Sequence, residues 1–263
     1  MMSSDKLEIA KNYLIKNGFS ETMEASIILG SGLSGFTSFI QDAVEIPYSD
    51  IPGFPLTTVE GHHGSLISGS IENNNVMVFS GRFHHYEGHE LKTTVLPIHL
   101  SKLFSVDKIL ISNAAGAVNT NFAVGDLMVI NDLFRLFQKI SASPSDKFSY
   151  NLYPYAEKTK EIAAGIGLNV QSGTYLYVKG PNYETKSEIR AFQRLGVDVV
   201  GMSTAPELME AAKLKIPAAA ISLVTNMAAG LSSSKLDHSE VKIAAESRKE
   251  DFAKLVIELI KKL

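Results

Sequence analysis

Short apolar runs recur along this chain, and each stops at glycine or at small polar residues. Ser26–Gly30, Lys108–Ser112, Gly173–Val178, Val197–Met202 and Ile216–Thr225 have strand length and few charges. They read as buried strands. Between them lie stretches of helical spacing: Thr93–Phe104, Glu157–Ala164, Thr185–Leu195 with Gly196 as its stop, and Pro206–Leu214 with proline in its first turn. Strands that alternate with helices specify an α/β fold with a central mixed or partly parallel β-sheet flanked by helices.

The remaining segments fit that frame. Ser65–Ile71 and Val76–Ser80 flank Glu72-Asn-Asn-Asn75, a hairpin signal. Gly125–Ile130 reads as a short strand, and Gln138–Tyr150 as a loop. The last helix runs from Ser239 to Leu263, with Val241, Ala245, Phe252, Val256, Leu259 and Leu263 on one face. Met1–Lys16 is an amphipathic helix rather than a secretion signal, since Asp5, Lys6, Glu8 and Lys11 interrupt its apolar positions. Glycine and proline are scattered as turns, with no repeat and no linker, so residues 1–263 are expected to form one domain.

Composition removes several functions. The chain has no cysteine, hence no disulfide, thiolate nucleophile or zinc–thiolate site. Its formal charge is −3, without the basic excess of a nucleic-acid binder. No apolar stretch approaches the ~18 residues of a membrane helix. A cytoplasmic protein is expected.

In α/β folds ligands lie beyond the C-terminal ends of strands, and the polar clusters of this chain sit there. Gly30-Ser-Gly-Leu-Ser-Gly35 has the GxGxxG spacing. With Asp50 about 20 residues on, it fits a dinucleotide fingerprint and thus an NAD-dependent oxidoreductase. Pro47, Pro52 and Pro55 make poor material for the second central strand such a fold needs. The same glycines also suit a simple phosphate cradle with Ser31, or a turn without ligand.

Gly81-Arg82-Phe83-His84-His85-Tyr86-Glu87-Gly88-His89 and Gly61-His62-His63-Gly64 hold most of the histidines. Arg82 offers a fixed fork of donors to an anion. Along an extended segment His84 and Tyr86 face the same way. No HExxH pattern favours a metal. His85, His89 and His99 read as incidental. Asn113-Ala-Ala-Gly116, after its strand, lets a ligand approach the backbone, although packing alone explains small residues there. Gly180-Pro-Asn-Tyr183-Glu184-Thr185 offers a ring to stack on a planar base and a carboxylate to accept from it. Alternatively Asn182 or Thr185 caps the next helix, with Glu184 in its first turn. Met202 and Ser203 end one strand, and Thr225 and Asn226 end another. Asp237 and Glu240 have capping-box spacing. His238, near that helix N-terminus, tends to stay neutral, which suits a ribose hydroxyl.

Taken in order and spacing, these segments resemble the homotrimeric branch of the purine nucleoside phosphorylases. The resemblance covers nearly the whole chain from Ile27. It implies a transferase of purine salvage: a pentosyltransferase that reversibly splits 6-oxopurine (deoxy)ribonucleosides, inosine and guanosine, with phosphate as co-substrate and no cofactor. It implies that Ser31, His62, Arg82, His84, the Ala114 N–H and Ser203 bind phosphate. Tyr86, Met202 and His238 would contact ribose. Tyr183, Glu184, Thr225 and Asn226 would hold the purine, and Glu184, Asn226 and His84 would carry the catalysis. The family's Asn-Pro-Leu … Gly-Pro-Asn signature is missing after Asn131-Asp-Leu-Phe134. In the family a phenylalanine downstream of it reaches the neighbouring subunit's ribose pocket, and Phe148 is the nearest match. That departure keeps a second reading in view, a nucleoside-binding protein with weak catalysis.

Overall fold

Leu7, Ala10 and Leu14 recur at helical spacing and are buried on one face of α1 (Ser4–Lys16), which packs on a later helix. The fold is that of a computed structural model. It describes residues 4–56, 64–136, 151–232 and 238–263, with backbone alone at 4, 153 and 238–240.

The short, mostly apolar run that follows forms β1 (Ala25–Leu29), buried throughout. The glycine-rich segment after it enters a 3-10 helix, Leu33–Phe39, and then β2 (Gln41–Pro47). β2 is an edge strand antiparallel to β3 (Ser65–Ile71). A proline at its end therefore removes no ladder bond from the sheet interior. This overturns the dinucleotide reading. No βαβ unit follows Gly30–Gly35, and Asp50 is exposed in a 3-10 turn, taking a hydrogen bond from the neighbouring Ser49 hydroxyl at 2.9 Å.

β3 and β4 (Asn74–Ser80) form the expected hairpin. Glu72 and Asn73 sit at φ 51° and 66°, the two left-handed residues that match the turn to the strand twist. The predicted helix over 93–104 is instead two helices, α2 (Leu91–Thr94) and α3 (Leu96–Leu103). Pro97 lies in the first turn of α3 and has no N–H for the preceding turn.

β5 (Lys108–Ala117) and β9 (Ala218–Met227) continue past the ends of their apolar runs. They pair in parallel to their ends, so Asn113–Gly116 and Thr225–Asn226 are strand, not loops after strands. Between them in sequence come β6 (Leu127–Phe134), α4 (Tyr153–Gly165), β7 (Gln171–Tyr177), α5 (Lys186–Arg194), the short β8 (Val199–Gly201) and α6 (Ala205–Lys213). α7 (His238–Lys262) closes the chain.

The sheet order is β2-β3-β4-β1-β5-β8-β7-β6-β9, and β9 also pairs with β5. Five strands therefore close into a ring, and the other four extend from it. β5 shares one edge between β1, which pairs as far as Ile111, and β8, which begins at Gly116. The opening between these two partners is where the site forms. One face is covered by α1, α3 and α6. The other is covered by α7, whose Val241, Ala245, Phe252, Val256 and Leu259 are buried as their spacing predicts.

Candidate active site

Ser31, Arg82, His84 and Ala114 line one end of a cavity of about 360 Å³ at the divergence of β1 and β8. Tyr86, Met202 and Ser203 continue its wall. Tyr183, Glu184, Thr225 and Asn226 line the remainder. Segments up to 195 residues apart thus meet in one space. Of the predicted site residues, His62 and Phe148 lie outside the described residues. His238 opens α7, and its side chain is likewise not described. The loop expected at 138–150 and Asp237 of the expected cap also fall outside, and the Glu240 side chain is not described.

Arg82 and Glu207 are each 2% exposed, and the guanidinium Nε donates to Glu207 Oε1 at 2.9 Å. Arg82 Nη1 reaches the Ser203 hydroxyl at 3.4 Å. Nη2 is buried and has no hydrogen-bond partner among the described residues. A buried charged donor left unmatched costs at least about 1–3 kcal/mol. An anion in the cavity would supply the match.

His84 lies on extended backbone and opens the 3-10 turn His85–Glu87. Tyr86 is therefore in a turn rather than on the extended segment expected, yet it reaches the same cavity. Its ring stacks on His84 with centroids 4.7 Å apart. Glu87 was not singled out in the sequence. Its Oε1 accepts from the His84 backbone N–H at 2.9 Å and contacts Nδ1 at 2.8 Å. Burial holds His84 below the ordinary histidine value, against the opposing hydrogen bond from Glu87. With Nδ1–H given to a carboxylate, neutral His84 presents Nε2 as an acceptor. His85 contacts the His89 carbonyl through Nδ1 at 2.9 Å, and His99 contacts Glu210 at 3.2 Å. Neither histidine lines the cavity.

The other end is set by a bulge. Ala115 pairs with Val224, but Gly116 pairs with Asn226, leaving Thr225 as the extra residue. In a regular strand, consecutive side chains point to opposite faces. The bulge re-aims them, so Thr225 and Asn226 both face the cavity. The Thr225 hydroxyl donates to Asn226 Oδ1 at 3.1 Å, and Asn226 Nδ2 donates to the Met227 carbonyl at 3.3 Å. The amide is thereby oriented before any ligand arrives.

Thr185, not Asn182, caps α5, and Glu184 lies before its first turn. Its hydroxyl accepts from the Glu188 N–H at 3.3 Å, and the Glu188 carboxylate accepts from the Thr185 N–H at 2.7 Å. That capping box leaves Glu184 to line the cavity, part-buried. Burial pushes its carboxyl above the ordinary glutamate range, and Glu188 adds to the rise. Tyr183 is half exposed at the mouth.

The cavity thus joins an anion-matching end to an end with a carboxylate and an oriented amide. Residues 25–261 match the family model described as the phosphorylase superfamily. Purine nucleoside phosphorylase 1 of Geobacillus stearothermophilus is 38% identical, over all of this chain and 99% of its own. Purine nucleoside phosphorylase of Schistosoma mansoni, solved with inosine, superposes with a TM-score of 0.89 at 34% identity, over 99% of this chain and 97% of its own. The same protein solved with adenosine gives 0.89 at 33% identity, over 99% and 98%.

Proposed function

We propose, since this chain belongs to the purine nucleoside phosphorylases of the phosphorylase superfamily, that its cavity performs phosphorolysis with a preference for 6-oxopurine nucleosides, inosine and guanosine. One observation carries the assignment of roles. A single cavity aligns the buried donor of Arg82 with an oriented Asn226 amide and the Glu184 carboxylate at its other end.

In this reading Ser31, Arg82, His84, Ser203 and the Ala114 N–H hold phosphate, with His62 closing over it. Tyr86, Met202 and His238 border the ribose, and Tyr183 stacks on the base. A phosphate oxygen forms the bond to C1′ as the C1′–N9 bond breaks, and the electron pair leaves with the purine. Arg82 and Ser203 fix the nucleophile beside the developing cation. His84 Nε2 accepts a hydrogen bond from monohydrogen phosphate, so the pair shares one proton. Asn226 meets N7 and O6, and Glu184 accepts from N1–H. The Asn226 donation strengthens as charge builds on the leaving base, while Glu184 fixes the ring through N1–H. No cofactor enters, and phosphate is a co-substrate. A 6-aminopurine has no N1–H for Glu184 and leaves buried groups unpaired, a strong rejection. The assembly that goes with this reading is a cytoplasmic homotrimer in which Phe148 borders a neighbouring site.

The test is hypoxanthine release from inosine with and without inorganic phosphate, followed by adenosine under the same conditions. Release that requires phosphate, with adenosine far slower, is expected. Release without phosphate would overturn the roles of Arg82 and Ser203. Adenosine turnover comparable with inosine would overturn those of Glu184 and Asn226.

A further inference from the structure

Ser203 reaches the cavity from backbone that is held away from its preferred conformation. Thr204, next in the chain, has φ 65° and ψ −48°. A residue branched at Cβ meets its own backbone there. The Ala205 N–H donates to the Ser203 carbonyl at 2.6 Å. A bond from residue i+2 back to i around a positive φ is the strained form of the γ-turn. Such a turn persists only when its surroundings over-determine it.

The surroundings hold it from several sides. Tyr175 of β7 is fully buried. Its hydroxyl accepts from the Ser203 N–H at 3.2 Å and donates to the Ser203 carbonyl at 3.1 Å. One phenol grips both backbone groups of residue 203. Burial pushes Tyr175 up to about 12, so the hydroxyl keeps the proton that it donates. Gly201 makes room for it, since a Cβ there would overlap the phenol oxygen. From β5, the Asn113 amide donates to Thr204 Oγ1 at 3.0 Å. That hydroxyl gives no cap to α6, although Thr204 stands at the cap position. The turn launches α6, whose first turn carries Glu207, the partner of Arg82.

We propose that Tyr175 and Asn113 are positioning residues: they hold the strained turn at Thr204 and through it aim Ser203, and by way of Glu207 also Arg82, at phosphate. Neither residue lines the cavity. The inference rests on the anion end being the phosphate site.

The experiment is steady-state phosphorolysis of inosine with each substrate varied, on Tyr175→Phe, Asn113→Ala, Ser203→Ala and the double variant Tyr175→Phe/Thr204→Gly. Tyr175→Phe removes only the hydroxyl. It is expected to raise the phosphate KM roughly five- to tenfold, with the inosine KM within about twofold. Glycine adopts positive φ freely. Thr204→Gly therefore relieves the strain that the phenol opposes, and the double variant recovers part of the lost phosphate affinity. A merely structural tyrosine predicts equal changes in both KM values and no rescue, and that result would overturn the proposal. If Ser203→Ala raises the phosphate KM and Tyr175→Phe does not, the positioning role falls while the phosphate site stands. If Ser203→Ala leaves the phosphate KM unchanged, the phosphate site falls and the proposal with it. Should Tyr175→Phe not fold, Asn113→Ala carries the same reading, with a raised phosphate KM expected and an unchanged one overturning it.

Discussion

Glu184 is a carboxylate whose usefulness depends on its charge. In the proposed role it accepts from a purine N1–H far more strongly when ionised, and burial raises its pKa above the ordinary glutamate value. As pH falls through that raised value the charged acceptor is lost. The acid limb of inosine kcat/KM therefore lies at higher pH than an ordinary glutamate would give. Glu184→Gln keeps the shape and removes the charge. It should lower inosine kcat/KM by about 100-fold and abolish that limb. A pH profile of kcat/KM in both proteins decides, and an unmoved acid limb in Glu184→Gln would assign it to another group. Thr225 is tested at the same scale. Thr225→Val removes the donor that orients Asn226 Oδ1. It should lower kcat severalfold, with the phosphate KM unchanged.

At the scale of elements, the loop before α5 carries Tyr183 and Glu184 of the proposed base site and packs against Met202 and Tyr86 of the proposed ribose site. Gly180 has φ 67°, and a Cβ there would overlap Met202 Sδ and press on the Tyr86 ring at 3.2 Å. Gly180→Ala meets both a disfavoured conformation and occupied space. It should destabilise the fold by about 1–2 kcal/mol and raise the nucleoside KM more than the phosphate KM. Equal changes in both would place the loop away from ribose. How much of this was legible beforehand depended on the range of the signal. The buried strands, the Glu72–Asn73 hairpin and the α7 face come from local periodicity, and all were readable. The family resemblance gathered the site residues that the cavity now brings together, Ser31 through Asn226. Three features were not legible, because they depend on register or on partners far along the chain. The bulge at Thr225 needs β5 beside β9, the Arg82–Glu207 pair spans 125 residues, and the Thr204 turn needs Tyr175 and Asn113. The break between α2 and α3 was readable from Pro97, but the apolar spacing across it masked the signal.

At the scale of the whole molecule, the proposed phosphate site lies at a junction. Ser31 follows β1, Arg82 and His84 follow β4, Ala114 lies in β5, and Ser203 follows β8. The anion would thus tie the extended half of the sheet to the closed ring, across the opening where β1 and β8 diverge on β5. The unfolded chain has no such constellation, so phosphate held there would bind the folded state alone. At 100 times its Kd a ligand of that kind adds about 2.7 kcal/mol. For a chain of this size that corresponds to roughly 5–10 °C in Tm. Thermal unfolding in inorganic phosphate should show this rise against chloride at matched ionic strength, which controls for screening. Ser203→Ala should keep the Tm seen in chloride and lose much of the gain. An equal Tm in both salts would mean that the anion end is not occupied by phosphate at these concentrations. A full gain retained by Ser203→Ala would move the site away from the α6 turn. The size of the shift also separates two architectures. If the two halves unfold independently, phosphate raises the transition of the ring and of the extended strands only where they share the anion. If they unfold as one unit, a single transition moves as a whole. The continuous pairing of β4, β1 and β5 predicts the single transition.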